Sequence, residues 1–196
     1  MENVEFKDAI NNFVDTEIER LEFIRNFAAP TFNKLNFNLS QIENQKEILI
    51  AELEKNKIEK NVSVLYFITL ETEEEIKEIS TKIKKYKKVH TKNRKSFIAL
   101  PKVNYDEFKT KNNCIYVGKT NSNFISRFEY HLGVTKGKST FALHLNEWNK
   151  ILKPKVELRF TLYYSVIDLK EKIQYLELIE SSLHNHLKPI LGRESH

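Results

Sequence analysis

The sequence predicts an α+β fold in which a small sheet is flanked by helices. Three stretches have the β-branched and aromatic composition of strands: residues 62–70, 114–118 and 155–167. The third also alternates apolar and polar residues, which is typical of a strand with one buried face. Around these stretches, apolar residues recur at helical spacing over longer segments. We also expect a short strand at 96–100, directly before Pro101.

Two helices are predicted before the first of these strands. Residues 8–28 place apolar side chains on one helical face, and Pro30 ends this helix. A second helix is predicted over 40–59, where Ser40 and Glu43 have the spacing of a capping box. Apolar stripes of this kind are usually buried, either on the core of the protein or in a dimer surface.

The helices after the first strand follow from similar signals. A capping box of Thr72 and Glu75 begins a helix that runs to about residue 89. Its first turn is acidic and its last turns are rich in lysine, an arrangement that the helix dipole favours. Further helical or amphipathic segments are predicted at 123–132, 140–152 and 169–187.

Composition limits the class of protein. With 196 residues, 40% apolar and 30% charged, the chain is expected to form one domain with an added arm. No apolar run approaches the roughly 18 residues of a membrane span, and the first residues do not resemble a signal peptide. Cys114 is the only cysteine, which excludes an internal disulfide and a cysteine-based zinc site. We expect a buried strand thiol there and a reducing, cytoplasmic compartment.

The positive charge is concentrated in one segment. Residues 82–119 contain twelve lysines and arginines against two acidic residues, a charge of +10, while the rest of the chain sums to −5. A solvated helix face, a membrane surface or a polyanion site would each explain such a run, although no strongly apolar helix face accompanies it. The candidates for phosphate contacts with DNA are Lys84, Lys85, Lys87, Lys88, Lys92, Arg94 and Lys95.

The most specific pattern in the sequence combines two strands with two helices. The second strand contains Tyr116-Val117-Gly118, and the helix after it carries Arg127 and His131 on one face. The first strand contains Tyr66, and the last helix contains Glu180. This order of residues resembles the signature of the GIY-YIG nuclease family. The resemblance implies a small, antiparallel, three-stranded sheet flanked by helices.

The resemblance covers residues 62–192 and implies a division of the chain. Residues 1–60 would form an N-terminal helical region, and residues 61–196 a GIY-YIG-like catalytic domain. The two tyrosines lie fifty residues apart, much further than is usual in the family, so residues 71–113 are interpreted as a basic helical insertion between adjacent strands. A strand pair tolerates such an insertion because the entropy of loop closure grows slowly with length.

Two scaffold positions depart from the family pattern. Val64 precedes Leu65-Tyr66 where the family has glycine, and Gly192 stands where an asparagine would follow the proline, here Pro189. Neither position transfers a proton or binds a metal in the family pattern, so the expected chemistry is unaffected.

Phosphodiester hydrolysis needs an activated water molecule. The resemblance gives the role of general base to Tyr66 and leaves Tyr116 to position the phosphate or the water. A free phenol titrates near ~10, so a nearby cation must lower the pKa of the base. Lys119 or a bound metal ion would supply that charge.

The other residues of the pattern suit the charged transition state. Arg127 presents a permanently charged fork that matches phosphate oxygens. Glu180 alone suits Mg²⁺ (or Mn²⁺), which keeps most of its waters and takes one or two carboxylates. His131 lies one turn after Arg127 and is placed to hydrogen-bond a tyrosine or the phosphate.

Each residue also has a structural explanation when it is taken singly. A strand tyrosine usually packs in the core, and Arg127 could pair with a surface acid. Glu180 and His184 form an (i, i+4) pair that suggests zinc, but no third ligand has suitable spacing. The joint order of the residues is what favours a nuclease.

The sequence therefore predicts a metal-dependent DNA endonuclease, related to restriction, defence or mobile elements. A catalytically inactive DNA-binding module on the same fold is the alternative, and an adaptor protein that uses the N-terminal helices is a third reading. A homodimer is expected if both DNA strands are cut, because one site hydrolyses one strand per event.

Overall fold

The computed structural model describes residues 3–90, 98, 100–104, 109–134, 142–169 and 175–192. The described helices are α1 Asn3–Asn26, α2 Leu39–Lys55, α3 Glu73–His90, α4 Phe124–Leu132, α5 Trp148–Ile151 and α6 Leu176–Leu187, with a 3-10 turn at Leu145–Glu147. The strands are β1 Asn33–Asn38, β2 Val64–Leu70, β3 Cys114–Thr120 and β4 Arg159–Val166. The predicted α+β class is confirmed.

The chain divides into two compact units, Met1–Thr31 and Phe32–His196. The first unit contains α1, which ends before Pro30 as predicted. Six of its large apolar side chains are exposed rather than buried; they are Phe6, Ile10, Phe13, Val14, Ile18 and Leu21.

The second unit is built on one antiparallel sheet with the strand order β1-β4-β2-β3. The prediction of three strands is wrong, because β1 forms a fourth strand beside β4. It lies within residues 1–60, where the sequence predicted helices alone. Only Leu35 and Phe37 are buried in β1, and three asparagines surround them, so the strand has little of the usual β composition.

The strand β1 also changes how the next helix begins. The predicted capping pair of Ser40 and Glu43 is wrong, because α2 begins at Leu39, directly after β1. The backbone N–H of Asn38 instead donates to Gln41 Oε1 at 2.7 Å. The helix ends at Lys55, four residues earlier than predicted.

The capping box before α3 is confirmed. The Glu75 N–H donates to Thr72 Oγ1 at 3.2 Å, and Glu75 Oε2 accepts from the Thr72 N–H at 2.9 Å. The other oxygen of this buried carboxylate accepts from Arg159 Nε on β4 at 2.8 Å. The cap therefore also attaches the start of α3 to the sheet.

The later elements agree in part with the sequence. Helix α4 begins after Asn123, whose side chain accepts from the Ser126 N–H at 3.1 Å. The segment predicted over 140–152 contains the 3-10 turn and α5. Of the helix predicted over 169–187, the structure describes α6 at Leu176–Leu187. Residues 170–174 lie outside the described part, as does most of the strand expected at 96–100.

Two short segments extend the sheet beyond β3. The N–H groups of Ile190 and Leu191 donate to the carbonyls of Cys114 and Ile115 at 3.2 and 2.9 Å. A second segment, residues 102–104, lies on the far side of this one, and the Asn104 N–H donates to Ile190 O at 3.0 Å. These segments line the edge of the sheet that carries Tyr116.

Two further predictions concern Cys114 and membrane-spanning helices. Cys114 is fully buried in β3, as expected, and burial raises the pKa of its thiol. Within the ranges that the structure describes, no helix has the length and apolar character needed to cross a membrane.

Candidate active site

The two tyrosines of the sequence pattern lie side by side on adjacent strands. Tyr66 on β2 is opposite Gly118 on β3, and the rings of Tyr66 and Tyr116 are 6.2 Å apart between centroids. A Cβ atom at Gly118 would lie 2.6 Å from Tyr66 Oη and 2.7 Å from Tyr116 Cε1. Position 118 therefore needs glycine because any side chain would separate the two phenols.

Helix α4 brings a guanidinium group to both hydroxyls. Arg127 Nε donates to Tyr66 Oη at 3.1 Å, and Arg127 Nη2 donates to Tyr116 Oη at 3.2 Å. Burial opposes the charge of Arg127, but the two phenols outweigh it and the pKa of the guanidinium lies above its usual value. Arg127 is thus a fixed positive charge between the tyrosines.

His131, one turn later on α4, completes the group. Its Nδ1 accepts from the Leu143 N–H at 3.3 Å, so the neutral ring carries its proton on Nε2. Nε2 lies 2.9 Å from Tyr66 Oη and therefore donates to it. Burial, followed by the charge of Arg127, holds the pKa of His131 well below its usual value. His131 is a neutral hydrogen-bond donor rather than a base.

We call Tyr66, Tyr116, Arg127 and His131 the tyrosine cluster. Burial raises the pKa of Tyr66 well above its usual value, and the neighbouring Tyr116 adds to this, while Arg127 acts in the opposite direction. The pKa of Tyr116 is also raised by burial and is likewise opposed by Arg127. Both phenols are therefore protonated at neutral pH in the protein without ligand.

Helix α6 places a carboxylate close to the tyrosine cluster. Glu180 is 6% exposed, and its charge contributes to the raised pKa of both tyrosines. Lys119 Nζ lies 3.9 Å from Glu180 Oε2 and 2.6 Å from Glu177 Oε1. The sequence suggested Lys119 as the cation beside the base, but the structure places Arg127 there and pairs Lys119 with the carboxylates of α6.

The donor set suits magnesium better than zinc. In the described parts of the chain, no three His, Cys, Asp or Glu side chains come together as metal ligands. Glu180 is one carboxylate beside a cluster of hydroxyl groups, which fits an ion that keeps several waters and takes one or two carboxylates. The residues present therefore fit Mg²⁺ or Mn²⁺ held by Glu180.

Sequence reasoning missed one side chain at this edge of the sheet. Asn104 Nδ2 lies 3.2 Å from Nε2 of His184, which is buried on α6 one turn after Glu180. Asn104 comes from the predicted insertion, and its flanking residues carry no pattern of a functional site. Only the pairing of residues 102–104 with the chain after α6 brings it here.

The lysines of α3 that are predicted to contact phosphate differ in their exposure to solvent. Lys84, Lys85 and Lys88 are exposed. Lys87 is half-buried, donates to the carbonyl of Pro101 and has its pKa lowered by burial. Lys87 thus ties α3 to the following segment. The remaining candidates, Lys92, Arg94 and Lys95, lie outside the described residues.

Comparisons with known proteins found no matching family model, curated protein or solved structure. The resemblance to GIY-YIG nucleases therefore depends on the order of the residues in the sequence and on how the structure places them.

The neutral state of His131 predicts a pH dependence of stability. The unfolded chain binds a proton at this histidine below about pH 6.5 and the folded chain does not, so the free energy of unfolding should fall as the pH is lowered through that value. The slope contributed by one such group approaches about 1.4 kcal/mol per pH unit. Urea unfolding between pH 7.5 and 5.5 measures it.

The variant His131→Gln has a side-chain amide that can still donate a hydrogen bond but does not titrate. Its free energy of unfolding should therefore depend less on pH over this range. His186→Gln removes an exposed histidine of α6 and should retain the wild-type dependence. Equal pH dependence in wild type and His131→Gln would contradict the assignment of a neutral His131.

Proposed function

We propose that the protein is a metal-dependent endonuclease that hydrolyses phosphodiester bonds of DNA. The observation that supports this most is the convergence of the predicted residues. Tyr66, Tyr116, Arg127 and His131 come from two strands and one helix, yet three hydrogen bonds join them. Glu180 reaches the same place from α6.

The general base is assigned to Tyr66. Its hydroxyl oxygen accepts hydrogen bonds from both His131 and Arg127, and both donors stabilise the phenolate that forms when the proton leaves. Tyr116 accepts from the same Arg127, and its ring lies 6.2 Å from that of Tyr66 between centroids, so we assign it to orient the phosphate or the attacking water.

Arg127 supplies the charge that the transition state requires. A guanidinium group remains protonated throughout hydrolysis and matches the geometry of phosphate oxygens. Its position is fixed in advance by the two phenols, so little reorganisation is needed when charge develops on the phosphate.

Glu180 is assigned as the ligand of the metal ion. When bound, Mg²⁺ or Mn²⁺ would neutralise phosphate charge and stabilise the departing oxygen. Lys119, between Glu177 and Glu180, keeps the buried carboxylate of Glu180 near a positive charge.

The site assignment predicts the effect of two substitutions. Glu180→Gln and Arg127→Ala should each lower the cleavage rate by roughly 100-fold or more, because each removes a charge that stabilises the transition state. Both variants should still bind DNA and remain folded. Plasmid nicking with Mg²⁺ or Mn²⁺, with a DNA-binding assay on the same samples, measures both properties.

Glu47→Gln, which neutralises an exposed carboxylate on α2, is the control and should cut at the wild-type rate. Undiminished metal-dependent cutting by Glu180→Gln would overturn the site. DNA binding without hydrolysis by the wild type would instead favour the inactive DNA-binding module.

The exposed lysines of α3 are proposed to bind the DNA backbone. Replacing Lys84, Lys85 and Lys88 with glutamine should weaken binding of every sequence to a similar extent. It should also flatten the slope of log affinity against log salt concentration by about 0.9 for each lysine–phosphate interaction that the substitution removes. Titrations at several salt concentrations measure this slope.

Three exposed lysines at and just after the end of α2 provide a matched control. Replacing them removes the same number of positive charges at a surface that is not proposed to bind DNA. The triple glutamine variant of Lys55, Lys57 and Lys60 should keep the wild-type slope. Lys87→Gln should lower thermal stability more than DNA affinity, because this lysine holds Pro101. An unchanged slope in the α3 variant would show that its lysines are only solvated.

The apolar face of α1 is proposed to form a homodimer. One site hydrolyses one strand per event, so a double-strand cut requires two sites. Leu21 and Phe13 are each 66% exposed on α1, and burying such side chains against a second copy would be favourable. Sedimentation should give twice the 23.2 kDa of the chain.

The double variant Phe13→Gln, Leu21→Gln should be a folded monomer that nicks plasmid without linearising it. Glu22→Gln on the same helix should remain dimeric. A wild-type protein that stays monomeric at micromolar concentration, with and without DNA, would refute the dimer.

A further inference from the structure

A segment of the predicted insertion contributes to the edge of the candidate active site. Asn104 lies between α3 and β3 in the sequence, but its N–H donates to Ile190 O at 3.0 Å, and the Gly192 N–H donates to Lys102 O at 2.9 Å. Val103 pairs with Leu191, which in turn pairs with Tyr116. Only the segment around Leu191 thus separates residues 102–104 from Tyr116.

The side chain of Asn104 contacts a buried histidine of α6. Asn104 Nδ2 lies 3.2 Å from His184 Nε2, and His184 is 2% exposed. His184 follows Glu180 by four residues, and side chains with this spacing are neighbours on a helix. Both side chains are buried.

Gly192 lies beside both Tyr116 and Asn104. A Cβ atom at Gly192 would lie 3.6 Å from two ring atoms of Tyr116 and 3.9 Å from Asn104 Nδ2. The φ angle of Gly192 is +122°, which other residues rarely adopt. The amide of Asn104 and the ring of Tyr116 therefore flank a position that carries no side chain.

We propose that Asn104 is a positioning residue for the nuclease reaction, acting through His184 on Glu180. The inference rests on the proposed function and assigns a role to a residue of the insertion. A neutral imidazole has two tautomers and can rotate, and a fixed amide partner selects one arrangement. Outer partners of this kind typically change activity by about 10–100-fold when they are removed.

The test is a double-mutant cycle on metal-dependent cleavage. Asn104→Ala should lower kcat by about 10–100-fold with little change in KM, because the side chain orients groups without binding DNA itself. His184→Ala should have a similar effect. If Asn104 acts through His184, the double variant should be no slower than the slower single variant.

Controls separate this role from a general effect on folding. Asn44→Ala removes an exposed asparagine of α2 and should leave kcat unchanged. Circular dichroism and DNA affinity should be the same in all variants, and Asn104→Ser replaces Asn104→Ala in the cycle if the latter does not fold.

Three outcomes would overturn the inference. They are a wild-type kcat in folded Asn104→Ala, reductions in the two single variants that multiply in the double variant, and an equal effect on KM and on kcat. A wild-type protein that does not cut DNA with Mg²⁺ or Mn²⁺ would instead overturn the proposed nuclease function, and the role of Asn104 with it.

Discussion

The site depends on the hydrogen bonds of one guanidinium group to two buried phenols. Tyr66 and Tyr116 are both nearly inaccessible to solvent, and buried hydroxyl groups without partners are costly. Arg127 donates to both hydroxyls. This requires Gly118, which lets the two rings approach, and the position of Arg127 on α4, which directs its side chain between them. The cap of α4 at Asn123 fixes the register of that helix, and with it the position of Arg127.

A second requirement is that distant parts of the chain meet at the β3 edge of the sheet. The chain after α6 pairs with β3, and residues 102–104 pair with that segment in turn. Glu180 and His184 are held on α6, which leads directly into this pairing. Residues 102–104 and the segment after α6 therefore lie next to each other at this edge, although β3, α4, α5, β4 and α6 separate them along the sequence.

The sequence predicted the elements whose signals are local. The capping box at Thr72 and the start of α4 at Asn123 depend on side chains a few residues apart, and both were found. Strand β1 was missed because its alternation is limited to Leu35 and Phe37, and its pairing with β4 joins residues far apart in the chain. Asn104 was missed for the same reason: its partner, His184, is eighty residues away. The pairing of Lys119 with α6, instead of with the phenols, likewise depends on side-chain directions that spacing does not reveal.

The hydrogen bonds around Tyr66 constrain how a base at this position could work. The Leu143 N–H fixes the tautomer of His131, so His131 can only donate to Tyr66 and cannot remove its proton. Arg127 is also only a donor. The proton of Tyr66 must therefore leave toward Tyr116, toward solvent or toward bound substrate, and its raised pKa means that this costs free energy in the protein alone. Under the proposed function, a metal ion held by Glu180 would supply the additional positive charge that lowers this cost.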